Sequence, residues 1–197
     1  DAMLVHSLLG RLPFTLTDAQ QRVLQEVLGD LARPVPMSRM LQGDVGSGKT
    51  VVALAAMVMA AAHKSQSALM APTEVLAEQH YRTLLTLLSA QPVDKGAGQG
   101  APSDVTPSLR DTPIHAIEGV LERPLRVALL TGSLTASRRR HVRSLLSSGD
   151  IDIVIGTQAL VQEGVDFPSL GLAIVDEQHR FGVLQRGGLR QKGYNPH

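Results

Sequence analysis

The stretch from Leu41 to Val52, LQGDVGSGKTVV, constrains this chain more than any other. Gly43, Gly48, Lys49 and Thr50 fit the spacing G-x-x-x-x-G-K-[ST], the pattern of a loop that cradles phosphate groups. Without a Cβ, its glycines let backbone N–H groups turn inward and form a concave nest for phosphate oxygens. Asp44, Val45, Gly46 and Ser47 supply the rest of that nest. Lys49 would set a cation against the β- and γ-phosphates of a nucleotide, and the Thr50 hydroxyl would ligate Mg²⁺. The flanks agree. Ser38 to Gln42 is expected as a short strand, and Lys49 to Lys64 as a helix whose positive end faces the same anion. An ordinary Gly-rich turn would match the pattern only by chance, and it carries no reason to lie between a strand and a helix.

Composition sets the frame. A chain of 197 residues suits one large domain, and residues 1–197 are read as a single one. With 43% hydrophobic and 19% charged residues it is globular, not disordered. The net charge of +1 neither demands nor excludes a nucleic-acid partner, so any such contact must rest on a local patch. The absence of cysteine removes disulfides, thiolate zinc sites and cysteine nucleophiles, and fits a reducing cytoplasm. The seven histidines form no spacing that suggests a metal cage. No secretory signal is expected. The apolar run Val51 to Ala62 is too short for a membrane span, which needs roughly 20 residues. It reads as a helix buried in an α/β core, and no membrane partner is expected.

Taken in order, the first dozen residues read as the frayed end of a preceding element. Pro13 and Phe14 lead into Leu16-Thr17-Asp18-Ala19-Gln20, where Thr17 as N-cap and Gln20 three residues on form a capping box. The helix behind it runs to about Leu31. A second reading has Phe14 packing on an adenine ring while the Gln20 amide, which both donates and accepts, reads the base edge. The position ahead of the phosphate loop favours it, and both readings can hold together. Ser67 to Ala71 reads as a buried strand. Thr73 then caps a helix from Val75 to about Leu88, or holds a nucleic-acid phosphate with the helix-start N–H groups.

Residues 91–124 hold five of the 11 prolines and no Phe, Tyr or Trp. They read as a Pro/Gly-rich surface insertion, with Ile114 to Leu121 as a short helix inside it. A strand resumes at Leu125 to Leu130, and a helix begins at Thr135 and stops at Gly149. Its Arg138, Arg139, Arg140, His141 and Arg143 form the densest positive patch, either a solvated helix face or a DNA-backbone contact. Ile151 to Ile155 and Leu170 to Val175 are apolar strands. The second delivers Asp176 at its end, where a carboxylate can hold the Mg²⁺ of a phosphate loop, while Glu177 can orient the attacking water. His179 has a bland reading as a hydrogen-bonded, partly buried residue.

The order of these motifs resembles the first RecA-like motor domain of superfamily 2 helicases, and most closely the RecG family of ATP-dependent branched-DNA helicases. PFTLTDAQ, LQGDVGSGKTVVA, APTEVLAEQH, LTGSLTASRRR, IDIVIGTQAL and LGLAIVDEQHRFGVLQR carry the resemblance. It implies an α/β RecA-like P-loop domain, a mostly parallel central sheet with helices on both faces. It further implies that Phe14 and Gln20 contact adenine, that Gly43 to Thr50 bind the triphosphate, and that Asp176 holds Mg²⁺. Glu177 would be the catalytic base, and His179 would couple the nucleotide site to DNA or a partner domain. Pro72, Thr73, Thr131, Gly132 and Thr157 would lie along the DNA track, with Arg138 and Arg139 beside it. The implied partners are branched or duplex DNA and a second RecA-like domain of the same parent chain. The implied setting is a monomer in the bacterial cytoplasm, acting in recombination and repair.

Alternatives remain at this stage. Transcription–repair coupling translocases share similar glycine-rich and RFGV segments. A small nucleotide kinase would need an arginine-bearing lid that the insertion does not supply. A non-enzymatic ATP-responsive binding module would bind ATP without answering to DNA. Few aromatics (Phe14, Tyr81, Phe167, Phe181 and Tyr194) leave little for base stacking, so backbone tracking is the expected mode. The chain also ends before the S/T-A-T segment expected after RFGVLQR, and a second motor domain with its arginine fingers is expected elsewhere. Such fingers supply roughly 10³ to 10⁵ in rate in related hydrolases. The 197-residue chain alone is therefore predicted to hydrolyse ATP very slowly; rapid turnover unaffected by Glu177→Gln would contradict this.

Overall fold

The computed structural model describes residues 2–12, 14–43, 48–89, 109–176, 188–189, 191–192 and 196–197. The chain opens with helix α1 (Ala2–Gly10) and continues with α2 (Asp18–Leu31), α3 (Lys49–Ala62), β1 (Gln66–Met70) and α4 (Glu74–Ser89). Then come β2 (Ile114–Ile117), β3 (Leu125–Leu130), α5 (Ala136–Ser147), β4 (Ile153–Gly156), a 3₁₀ turn (Gln158–Val161) and β5 (Leu170–Val175). The five strands form one sheet in the order β2-β3-β4-β1-β5. β3, β4, β1 and β5 run parallel, and β2 pairs antiparallel with β3 at the edge.

Threonine side chains cap the starts of α2, α4 and α5. At α2 the Thr17 hydroxyl accepts from the Gln20 N–H at 3.3 Å, and Gln20 Oε1 accepts from the Thr17 N–H at 2.9 Å. Two donors that the helix leaves orphaned are thereby satisfied. Thr73 caps α4 by accepting from Leu76, and Thr135 caps α5 by accepting from Arg138. Gly149, at φ +80°, ends α5 in the left-handed conformation.

Alternate strand residues face opposite layers, as a pleated sheet requires. Leu125, Val127, Leu129, Ile153 and Ile155 face one core, with α3 and α4. Ala128, Leu130, Val154 and Met70 face the other, with Val142 and Leu146 of α5. Helix α3 is buried on nearly every side, which accounts for its unbroken apolar sequence. No helix among the described residues is long and apolar enough to cross a membrane.

Three expectations are corrected. Ser38 to Gln42 is not a strand: it joins no sheet, and Met40 is 68% exposed. The outer edge of β5 is instead taken by the backbone of His197, which exchanges hydrogen bonds with Gly171 and Ala173 at 2.8 Å each. The Met37 N–H donates to the His197 imidazole at 3.0 Å, which joins the start of this segment to that edge. Ile114 to Ile117 is a strand, not a helix: its backbone is drawn onto the free edge of β3, and Gly119 turns the chain at φ +73°. Leu109, Ile117 and Val120 are buried, so residues 109–124 belong to the fold's interior edge as well as its surface. Lastly, the first residues are not frayed. They form α1, whose Leu8 is buried and whose Val5 and Leu9 pack on the core shared with α3.

The end of the sheet where the parallel strands begin is tied together by polar groups that are fully used. The buried Gln66 amide donates to the carbonyls of Leu146 and Ile151, and its oxygen accepts from Ser169. The Asp152 carboxylate takes a two-pronged contact from Arg123 at 2.6 and 2.9 Å and the Arg126 N–H at 2.9 Å. This contact with Asp152 holds the Arg123 guanidinium above its ordinary pKa.

Tyr81 fixes α4 against the sheet. Its buried hydroxyl lies 3.1 Å from the Val127 carbonyl, 3.2 Å from that of Pro113 and 3.0 Å from His115 Nδ1. Burial pushes the phenol's pKa up and the His115 imidazole's pKa down, so both rings stay neutral at pH 7. Tyr81→Phe is predicted to destabilise the fold by about 1–3 kcal/mol, because buried acceptors lose their donor. The midpoint of urea unfolding measures it.

Candidate functional site

The four parallel strands stop in register. Met70 lies opposite Gly156 and Val175, and Leu130 opposite Gly156. The ladder continues one residue past each end: Ala71 N–H donates to Gly156, Thr157 N–H to Leu130, and Asp176 N–H to Met70. Thr131, Thr157, Ala71 and Asp176 therefore stand in a row across the C-terminal edge of the sheet. In open parallel sheets that edge is where ligands bind. Gly156 permits the close approach, since a Cβ there would overlap the Leu130 carbonyl.

At the loop before α3, Gly48 is the N-cap at φ +79°, so the helix N-terminus opens from a left-handed residue. Lys49 reaches back and donates to the Gly43 carbonyl, bringing the two ends of the loop together. Gln20 lies against the same point: a Cβ on Gly48 would overlap its amide nitrogen. The capping box of α2 thus also presents Gln20 to the loop. Thr50 is half-buried in the first turn of α3. Asp44, Val45, Gly46 and Ser47 lie outside the described residues.

Phe14 is 44% exposed and lines a cavity of about 410 Å³ with His6, Leu9, Leu12, Leu16 and Gln21. Gln20 is not among the residues lining that cavity. Of the two residues read together as an adenine contact, only Phe14 faces the cavity.

Asp176 is half-buried at the end of β5, and its Oδ2 accepts from His80 Nε2 at 2.7 Å. His80 escaped the sequence reading. The available signal was its place two turns into a helix that starts at the end of a neighbouring strand. Glu177 and His179 lie outside the described residues. Among the described residues no group of three or more His, Cys, Asp or Glu side chains could hold a metal by itself.

The residues read as a nucleic-acid track fall on the same edge but differ in access. Thr73 is exposed and Pro72 half-buried. Thr131 and Thr157 are buried, with their hydroxyls engaged by Ser133 Oγ at 3.1 Å and by the Ala159 N–H at 3.5 Å. Gly132 is exposed, and its carbonyl accepts from Arg139 at 3.0 Å. Glu74, also missed from sequence, accepts from the Ser133 N–H at 2.9 Å and so joins the start of α4 to this loop. Arg138 pairs with Asp111 at 3.0 Å.

A family model described as DEAD/DEAH box helicase matches residues 17–192. The "ATP-dependent DNA helicase RecG" of Mycobacterium tuberculosis (strain H37Rv) is 47% identical over 197 residues, 98% of this chain and 24% of that protein. The protein of the same name from Bacillus subtilis (strain 168) is 44% identical over 185 residues, 94% of this chain and 22% of that one. A solved structure, "Structure of RecG bound to three-way DNA junction", superposes with a TM-score of 0.69 at 40% identity, covering 95% of this chain and 21% of that one. The chain thus spans about a quarter of the length of the curated relatives it matches. Its sheet of mostly parallel strands between helical layers is the RecA-like α/β arrangement expected from the motifs. With that match extending from the capping box of α2 past the end of β5, this chain, similar to RecG helicases over nearly its whole length, belongs to the DEAD/DEAH box helicase family.

Proposed function

We propose that this chain is the ATP-binding motor half of an ATP-dependent helicase that remodels branched DNA in recombination and repair, acting in the bacterial cytoplasm. One observation carries the reading. The nucleotide candidate Asp176 and the DNA-track candidates Thr73, Gly132 and Thr157 lie at or just beyond the ends of adjacent parallel strands, on one edge of the sheet. A motor needs its nucleotide site and its track joined by stiff elements, and hydrogen-bonded neighbouring strands are such elements. The names of the relatives support ATP and DNA as ligands, and the solved relative was captured on a three-way junction.

The residues fit a nucleoside triphosphate with Mg²⁺. Gly48 occupies a left-handed conformation that side chains rarely adopt, and the positive N-terminal end of α3 opens directly behind it. A single described carboxylate suits Mg²⁺, which takes one or two carboxylates and completes its shell with phosphate and water. Gly43 to Thr50 would hold the phosphates, and Thr50 and Asp176 the cation, which when bound neutralises phosphate charge. Lys49 would exchange the Gly43 carbonyl for a phosphate oxygen. Glu177 would accept the proton of the attacking water, and His179 would carry the state of the site to DNA or to the second motor domain. Phe14 and Gln20 would frame the base. Pro72, Thr73, Thr131, Gly132, Thr157, Arg138 and Arg139 would follow the DNA backbone. Arginine fingers would come from the second motor domain.

The test is ATPase activity of the full-length protein with and without forked DNA. Strong stimulation by the fork, reduced about 10²–10³-fold by Lys49→Ala, is expected; no response to any DNA would contradict the assignment. Gly48→Ala forces a side chain into a left-handed conformation at about 1–2 kcal/mol. It is predicted to weaken binding of a fluorescent ATP analogue by about 5- to 30-fold.

A further inference from the structure

The geometry points to His80 as the residue that positions the Asp176 carboxylate for a divalent cation, an inference that rests on reading Asp176 as a cation ligand. Two contacts with described residues hold Asp176. Its N–H donates to the Met70 carbonyl at 2.9 Å and so fixes its backbone to β1. Its Oδ2 accepts from His80 Nε2 at 2.7 Å and so fixes its rotamer. A carboxylate is planar, so holding one oxygen sets the direction of the other. The pair is sheltered, with 16% of the His80 side chain and 31% of the Asp176 side chain exposed. Water therefore competes weakly for this hydrogen bond.

His80 can serve as an anchor because α4 itself is fixed. Thr73 caps its first turn, while Ala77, Tyr81 and Leu84 are fully buried against the sheet. Tyr81, the next residue, is tied through its hydroxyl to the Val127 and Pro113 carbonyls, which sets the rotation of the helix about its axis. The imidazole beside it is therefore aimed at the end of β5 by the packing of the whole helix. Residues that hydrogen-bond a ligating group set its orientation, and losing one typically costs 10–100-fold in metal affinity.

The experiment follows binding of a fluorescent ATP analogue to the full-length protein while Mg²⁺ is titrated, with a parallel measurement in excess chelator. His80→Leu is expected to raise the Mg²⁺ concentration at half-maximal response by about 10–100-fold while leaving metal-free nucleotide binding unchanged. His80→Gln, whose amide nitrogen reaches toward the place of Nε2, is expected to recover most of the loss. His80→Asn, a polar variant too short to reach Asp176, should behave like His80→Leu and serves if the leucine variant does not fold. An unchanged Mg²⁺ midpoint in the leucine or asparagine variant, with Asp176→Asn shifting it, overturns the role of His80. Equal loss of metal-free binding in the glutamine and leucine variants also overturns it, since His80 would then act on the fold alone. If Asp176→Asn leaves the midpoint unmoved, the fault lies in the assignment of Asp176 as a cation ligand, and the proposal falls with it.

Discussion

The structure depends on four parallel strands hydrogen-bonded in register to a common edge. Parallel pairing aligns strand ends as well as strand bodies, so the residues after Met70, Leu130, Gly156 and Val175 come out side by side. Chemistry scattered over more than a hundred residues of sequence becomes a single row. The requirement is strict. A strand shifted by one residue would turn its side chains to the other face and displace its end from the row. The buried alternation of Val127, Leu129, Ile153 and Ile155 against Ala128, Leu130 and Val154 resists that slip, because each set is packed in a different core.

The two ends of the sheet are built differently. At the end where the parallel strands start, the polar groups of Gln66 and Asp152 find partners within the protein. That end serves as a base. At the other end the chain places glycines, helix N-termini and short polar side chains, groups that can give up a water or a protein partner for an anion. Helix α4 spans the difference. Its start meets the Thr131–Ser133 loop through Glu74, its middle meets Asp176 through His80, and its inner face is pinned by Tyr81. A shift of Asp176 would be felt along one rigid helix at the proposed track.

Much of this was legible in the sequence, for identifiable reasons. The Thr17–Gln20 capping box, the Thr135 cap, the Gly149 stop and the strands at Leu125 and Leu170 depend on local chemistry, which neighbouring residues report. The elements that were missed depend on partners distant in sequence. Ile114 to Ile117 became a strand because β3 offered an edge. Ser38 to Gln42 joined no sheet, and His197 stands against β5. The first dozen residues became a packed helix because Leu8 finds its partners in the core shared with α3. Among the candidate site residues, Gly43, Gly48, Lys49 and Asp176 were singled out because motif spacing encodes them. His80 and Glu74 were missed because their roles arise from the crossing of α4 over the ends of other strands.

The central claim is that one edge of the sheet serves both nucleotide and DNA. Amide hydrogen exchange of the full-length protein, with a non-hydrolysable ATP analogue and then with forked DNA added, tests it most directly, since bound ligand slows local opening of the backbone it covers. The account predicts that the nucleotide protects residues 43–50 and the amides around Asp176. DNA should then protect the segments after β1, β3 and β4, with Gln66, Asp152 and their neighbours unchanged. Protection concentrated at Gln66 and Asp152, or DNA protection confined to residues away from the strand ends, would contradict it.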